Sequence, residues 1–373
     1  MLQITKKLLR YILSGEWLRN YVYHQTFRER NKIANVFVKE HNCPDLSVEE
    51  KREIDAYWQQ YGIAFPNYSW HRMFYYVTGI HDKRFVPDPL LGMLYPQFNP
   101  EIYVKGLDDK NLYDTLCPTI KFPKTICHCV RGKLYDSEWN QILNIEQFAD
   151  SLLDRKSVII KKAKDSFAGQ GVKKYNLIDS SLLEILDKYK KNNVDFIMQE
   201  CVKQHPFLAQ FNESSVNIFR IITWRYEGDI RILSVSLRFG EKGYATDVCY
   251  KDGKEIVNVV GVEKNGFLKS KVVGFDGFVD LKKNVTERIP GYDELIDSAI
   301  EGHKRLYQFD LVAWDFTIDE HSAPVCIEFN VLYPGSILYQ FANGPFAGDY
   351  SEEFFRSLEE PSVRKRIPSK WLS

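Results

Sequence analysis

The run "VNIFRIITWRYEGDIRILSVSLRFG", residues 216–240, restricts the fold more than any other stretch. β-Branched and aromatic residues fill both halves, and Glu227, Gly228 and Asp229 between them are turn residues, so the run predicts a hairpin of two long antiparallel strands. A period of two puts Ile218, Arg220, Ile222 and Trp224 on one face, which sets an arginine in an otherwise apolar row.

Upstream, strands and helices alternate. "TICHCV" reads as a strand, "NIEQFADSLLDR" as a helix, "VIIKK" as a strand, "SSLLEILDKYKKN" as a helix and "DFIMQECV" as a strand. Downstream, "YDELIDSAIEGHKRLYQF" carries Leu295, Ile296, Ala299, Ile300, His303 and Leu306 at helical spacing, and the strand pair "LVAWDFTID" and "APVCIEFNVLYPG" follows. The pattern indicates an α/β or α+β layer, preceded over roughly the first hundred residues by a helical, then loop-rich and aromatic region.

At 373 residues the chain predicts two or three packed units. Its 50 basic and 50 acidic side chains cancel, which argues against general nucleic-acid binding. No window approaches the roughly 18 uninterrupted apolar residues of a membrane span. Charges interrupt every apolar centre of "MLQITKKLLRYILSGEWLRNYVYHQTFRERNK", so it is read as no signal peptide; it is either a helix packed on the domain behind it or a membrane-surface helix. The seven scattered cysteines suit reduced thiols in a cytosolic compartment. Cys127, His128 and Cys129 lack a second pair at zinc spacing, so they are read as a buried strand. His303, on the apolar face of its helix, is read as a core histidine.

Two stretches carry residues fit for chemistry. Glu328 and Asn330 are two apart in a strand and share a face, and an antiparallel neighbour would bring Asp315 beside them. Two carboxylates and an amide oxygen suit Mg²⁺, which completes its shell with water and substrate phosphate; polar strand ends at a solvent edge are the alternative. "VIIKKAKDSFAGQGVKKYN" ends an apolar strand in Lys161 and Lys162 before a loop containing Gly169 and Gly171. Ammonium groups and glycine-loop N–H groups together fit a phosphate, though a hairpin loop with solvated lysines explains the same residues.

Taken in order, Lys110 in "DDKNLYD", the Lys161 to Val172 stretch, "MQECV", Asp315 and "EFN" resemble the ATP-grasp superfamily from about Lys110 to about Gly335. "QHP", "SVNIFRIIT", "RFG" and "CIEFN" are most similar to the branch associated with sugar transfer and polysaccharide genes, and "WHRMFYYVTGIHDKRFVP" extends the likeness towards the N-terminus. Lys162 stands where a proline is usual, the loop "KDSFAGQG" is bulkier than usual, and Asp247 is followed by valine where this branch tends to have asparagine.

The resemblance implies an α+β, ATP-grasp fold, in which two α+β lobes clamp ATP between antiparallel sheets. It implies a partly helical N-terminal domain at 1–105, an N-lobe at 106–200, a C-lobe at 201–350 and a C-terminal tail at 351–373. ATP and Mg²⁺ are the implied cofactors. Lys110, Lys161, Gly169 and Gly171 would meet the phosphates; Gln199, Glu200 and Val202 would read the adenine, with His205 as a helper at the ribose. Asp315, Glu328 and Asn330 would hold the metal, and Arg220 and Arg238 would meet the γ-phosphate or the acceptor. The implied activity is a carboxylate–amine ligase working through an acylphosphate in polysaccharide or sugar-conjugate biosynthesis. A kinase acting on a hydroxyl and a nucleotide-binding scaffold of a glycosyltransferase complex are the alternatives. The expected substrate is a small or sugar-linked molecule. The expected location is the cytoplasm, with its inner membrane face and a glycosyltransferase as places of association.

Overall fold

A computed structural model describes residues 29–65, 67–164, 171–177, 181–244, 246–251, 254–274, 277–281 and 285–359. The basic amphipathic stretch through Arg28 lies outside the described residues, and so does Gly169.

Five strands build the first sheet: Thr125–Val130 (β1), Lys133–Asp136 (β2), Ser157–Lys162 (β3), Val172–Asn176 (β4) and Phe196–Glu200 (β5). They lie in the order β2-β1-β5-β3-β4 with every neighbour antiparallel. Alternation splits the sheet into two faces. Cys127, Cys129, Val158, Ile160, Phe196 and Met198 pack against Leu182, Ile185 and Leu186 of the helix Leu182–Lys191. That helix starts where Ser181 accepts a hydrogen bond from the Glu184 N–H, a side-chain cap for an otherwise orphaned donor. The other face carries His128, Ile197 and Lys161 in one cross-strand row. The cysteine–histidine cluster is thus a buried strand, as the spacing predicts.

Seven strands form the second sheet: Ile218–Tyr226 (β6), Asp229–Phe239 (β7), Asn258–Val262 (β10), Leu268–Gly274 (β11), Gly277–Asp280 (β12), Leu311–Ile318 (β13) and Pro324–Asn330 (β14). Their order is β12-β11-β10-β7-β6-β13-β14, and a separate pair joins Cys249–Lys251 (β8) to Lys254–Ile256 (β9). The predicted hairpin is β6–β7. Its two turn residues, Glu227 and Gly228, have φ of 51° and 89°, the sign that a tight right-twisted hairpin requires. One face of this sheet packs Phe219, Ile221, Val235, Leu237, Trp314 and Phe316 against Leu295 and Ala299 of the helix Tyr292–Arg305. Fully burying side chains of this size contributes roughly 1.5–3 kcal/mol each. His303 lies in this core, with Nδ1 2.6 Å from Thr223 Oγ1 and Nε2 3.1 Å from the Phe309 carbonyl; burial pushes its pKa down to about 3.

The chain divides into one unit of Met1–Gln97 with Gly344–Phe346 and Ser351–Ser373, and another of Phe98–Asn343 with Ala347–Tyr350. Within the first unit, Phe354 and Phe355 of the helix Ser351–Arg356 are buried, and Phe355 meets the Trp58 ring edge-on at 4.7 Å. Within the second unit, Tyr113, Cys117, Ile120 and Phe122 pack in the core of the seven-stranded sheet, although their sequence position groups them with the strands of the N-lobe.

Candidate active site

The face of the seven-stranded sheet opposite its core carries a polar row. Register aligns Glu328 on β14, Asp315 on β13, Arg220 on β6 and Ser236 on β7 across four neighbouring strands, a span of roughly 14 Å. The alternation that sends Trp314 and Phe316 into the core sends Asp315 the other way. Asn330, two residues beyond Glu328, joins the row with its Nδ2 3.4 Å from Asp315 Oδ2. The antiparallel pairing read from the sequence is therefore the observed one.

Arg220 clamps Asp315 through two bonds, Nε to Oδ1 at 2.5 Å and Nη2 to Oδ2 at 2.9 Å, and donates Nη1 to the Pro334 carbonyl at 2.8 Å. Burial acts on both partners. It lifts Asp315 above the ordinary carboxylate range against the pull of Arg220 and Arg238, while the fork contact outweighs burial at Arg220 and holds its proton more tightly than usual. Arg238, diagonal to Arg220 on β7, is ion-paired with Asp247 and donates Nη1 to Tyr339 Oη at 3.0 Å. The same tyrosine ring lies 5.5 Å from the Arg220 guanidinium. Gly335 lets Tyr339 come this close, because a Cβ there would lie 2.7 Å from the ring on a residue whose φ is 78°.

The two lysines approach from the five-stranded sheet and from the turn before it. Lys161 Nζ donates to the Ile327 carbonyl at 3.1 Å, and Lys110 Nζ lies 3.4 Å from Glu328 Oε2. Burial lowers Lys161 to a pKa of about 8, with Glu328 opposing and Lys110 adding to the fall. Glu328 moves the other way: although burial opposes it, Lys110, Lys161 and the two arginines hold it down at about 2. Lys110, Lys161, Arg220 and Arg238 set four positive charges against the three of Asp247, Asp315 and Glu328, so the site is arranged to accept an anion.

The remaining predicted positions are more dispersed. Gln199 is on the lysine-bearing face of its sheet, opposite Ile159, and its Nε2 donates to the Pro123 carbonyl at 3.0 Å. Glu200 is paired with Arg155 at 2.5 Å and lies 3.7 Å from Lys124. Val202 is half-buried in the chain leaving β5. His205 caps the short helix Pro206–Ala209, accepting from the Phe207 N–H at 3.1 Å, and that is the role the structure gives it. Gly171, with φ of 80°, accepts from the Lys162 N–H across the β3–β4 hairpin at 3.0 Å; a Cβ on it would lie 2.9 Å from that of Lys162. Tyr339 is the neighbour of the arginines that sequence reasoning missed, since nothing in the apolar helix "ILYQFAN" marks one residue as facing a charge.

The donor set fits a small divalent cation. Among the described residues no three His, Cys, Asp or Glu side chains gather at metal-binding distance, so Asp315 and Glu328 need the Asn330 amide oxygen as the third protein donor. Carboxylate oxygens keep spare lone pairs beyond the bonds they accept here, and a site of one or two carboxylates completed by phosphate is the usual one for Mg²⁺.

Two α+β lobes with facing lysines and carboxylates define the ATP-grasp class. The chain belongs to the sugar-transfer associated ATP-grasp family, whose description matches residues 92–350. Among solved structures it is similar to D-alanine–D-alanine ligase from Bacillus anthracis, at 13% identity over 72% of this chain and 71% of that one, with a TM-score of 0.41. It is also similar to the D-cycloserine synthetase DcsG, at 12% identity over 72% and 73% of the two chains and a TM-score of 0.40. The ATP-grasp ligase PsnB complexed with minimal precursor matches at 8% identity over 72% and 64%, also at 0.40. Comparison with curated proteins gave no match. No helix among the described residues is long and apolar enough to cross a membrane.

Proposed function

We propose that this protein is a Mg-ATP-dependent ligase that joins a carboxylic acid to an amine through an acylphosphate, on a sugar or sugar-linked substrate of surface polysaccharide synthesis. The observation that carries the reading is the charge order across the site: two lysines, then Glu328 and Asp315, then two arginines. The lysines serve the nucleotide side. The arginines, beyond the carboxylates, serve the second substrate or the phosphoryl group passing to it.

Asp315, Glu328 and Asn330 are the residues that would hold Mg²⁺, which would supply Lewis-acid stabilisation of the charge on the phosphates. Lys161 and Lys110 orient the phosphates, each leaving a protein oxygen of β14 for a nucleotide oxygen. Arg220 and Arg238 each place three N–H contacts on protein oxygens, and a guanidinium has five N–H groups, so each retains donors for a developing negative charge. In the proposed reaction a substrate carboxylate oxygen attacks the γ-phosphorus and ADP leaves; an amine then attacks the acyl carbon and phosphate leaves. Gln199, Glu200 and Val202, at the end of β5 and just beyond it, would border the adenine in this reading.

ADP and phosphate release with Mg-ATP, across mixtures of amino acids and amino sugars, tests the reading with Glu328→Ala as the control. Release that needs an acid and an amine together and vanishes in the control supports the ligase. Release with one hydroxylated compound alone moves the assignment to a kinase, and tight ATP binding without turnover moves it to a scaffold.

A further inference from the structure

The turn that carries Lys110 belongs by packing to the seven-stranded lobe and by hydrogen bonding to the other one. Tyr113 stacks on Phe329 at 4.2 Å and donates Oη to the Phe329 carbonyl at 3.2 Å, and Cys117 is fully buried in the same core. Three consecutive residues before Tyr113 reach the five-stranded sheet or the segment just past its β3 instead. Asp109 Oδ2 is 3.1 Å from Lys164 Nζ, the Lys110 N–H donates to the Ala163 carbonyl at 3.0 Å, and Asn111 Oδ1 is 2.9 Å from His128 Nδ1. All three are nearly sealed from solvent, with 7%, 6% and 2% of their surface exposed. Asp109 also accepts the Asn111 N–H at 2.9 Å, which fixes the turn internally.

We infer that Asp109, Asn111 and His128 are positioning residues for Lys110: they clasp its turn to the lysine-bearing face of the five-stranded sheet and hold its ammonium beside that of Lys161, where nucleotide phosphates meet both. The inference rests on the nucleotide reading of the site. Its physical basis is the arrangement of like charges. A lysine side chain carries up to about 2 kcal/mol of rotamer freedom, and an unrestrained Lys110 would turn away from a second ammonium towards water. His128 shares its cross-strand row with Lys161 through Ile197, so the Asn111–His128 bond ties the Lys110 turn to the same level of the sheet as Lys161. The Lys110–Ala163 bond ties it to the segment just past the end of β3. Burial keeps the His128 imidazole below its ordinary pKa, so near neutrality the ring is uncharged and its Nδ1 proton faces the amide oxygen. Trp139 stacked on it at 4.2 Å holds the ring plane. The Asn111 Nδ2 is buried without a hydrogen-bond partner among the described residues, so the contact with His128 is the side-chain hydrogen bond that fixes this amide.

The test is a double-mutant cycle on ADP affinity, measured by isothermal titration calorimetry on the full chain: wild type, Asn111→Ala, Lys110→Ala and the double variant. Lys110→Ala is expected to weaken ADP roughly 10- to 150-fold, the range of one charge-assisted hydrogen bond. Asn111→Ala is expected to weaken it about fivefold or more in the wild-type background and less than about twofold when Lys110 is already alanine. Equal factors in both backgrounds would show that Asn111 acts only on general stability and would overturn the clasp. If Asn111→Ala does not fold, Asp109→Asn, which keeps the acceptor for the Asn111 N–H and removes the charge facing Lys164, is run through the same cycle with the same criterion. Wild-type protein that binds no ADP would instead overturn the nucleotide reading, and the clasp with it.

Discussion

Raising the pH from 7 to 9 should weaken nucleotide binding about tenfold through Lys161 alone. Burial brings this lysine to about 8, so the ammonium is charged in about nine-tenths of molecules at pH 7 and in about one-tenth at pH 9. A phosphate that needs the charged form must then pull a proton from solvent, which lowers affinity by ~1.4 kcal/mol over the two units. Glu328, held at about 2, and Arg220 and Arg238, raised above the usual arginine value, do not titrate in this window. The last proton of a phosphate leaves near ~6, so the ligand contributes little above pH 7. Calorimetry in buffers of different ionisation enthalpy should record uptake of about 0.9 proton per ADP at pH 9 and about 0.1 at pH 7. Lys161→Arg, charged throughout, should flatten both the affinity profile and the proton uptake.

The sign for stability is opposite, which separates binding from unfolding. The folded pKa of Lys161 lies below its unfolded value of about 10.5, so between pH 8 and 10.5 the unfolded chain binds more protons, and this group makes the unliganded fold more stable as pH rises. Affinity should therefore fall while the Lys161 contribution to stability grows. An ADP affinity that does not change from pH 7 to 9, or a wild-type slope matched by Lys161→Arg, would refute the claim that this ammonium meets phosphate.

Three further outcomes follow from the same geometry. Glu328→Ala should abolish Mg-dependent ADP release while the circular-dichroism spectrum stays that of the wild type; normal turnover would remove Glu328 from the metal site. Asp315→Ala leaves the buried Arg220 guanidinium without its carboxylate, and urea unfolding should show a loss of about 3–5 kcal/mol; a loss under about 1 kcal/mol would mean that the pair is open to water. Gly335→Ala combines a φ of 78° with a Cβ 2.7 Å from the Tyr339 ring, and thermal unfolding should register at least about 1–2 kcal/mol; an unchanged melting temperature would show that the ring yields freely.

The parts of this site legible in the sequence are those fixed by strand alternation. Period two alone puts Glu328 and Asn330 on one face and Asp315 opposite Trp314, and any antiparallel pairing in that register brings the three together. Position in the chain says nothing, however, about which core a segment joins. Residues 106–122 precede the five-stranded sheet, yet Tyr113, Cys117, Ile120 and Phe122 pack in the core of the other one. The same holds for Ser351–Arg356, far in sequence from the helices it packs with. Tyr339 and His128 were invisible for a related reason: each faces its polar partner through tertiary contacts of long sequence separation, 101 residues to Arg238 and 17 to Asn111, and each sits in a local pattern that also suits plain core. What alternation cannot do is bring two lysines of the same charge together, since nothing local favours it. Lys110 and Lys161 come from different segments and meet over Glu328 only because separate cores hold their backbones. The electrostatic cost of that meeting falls on the unliganded protein, and an arriving phosphate removes it. A site built this way gains affinity for its anion from repulsion already present in the fold, so its strength depends as much on the residues that anchor the lysines as on the lysines themselves.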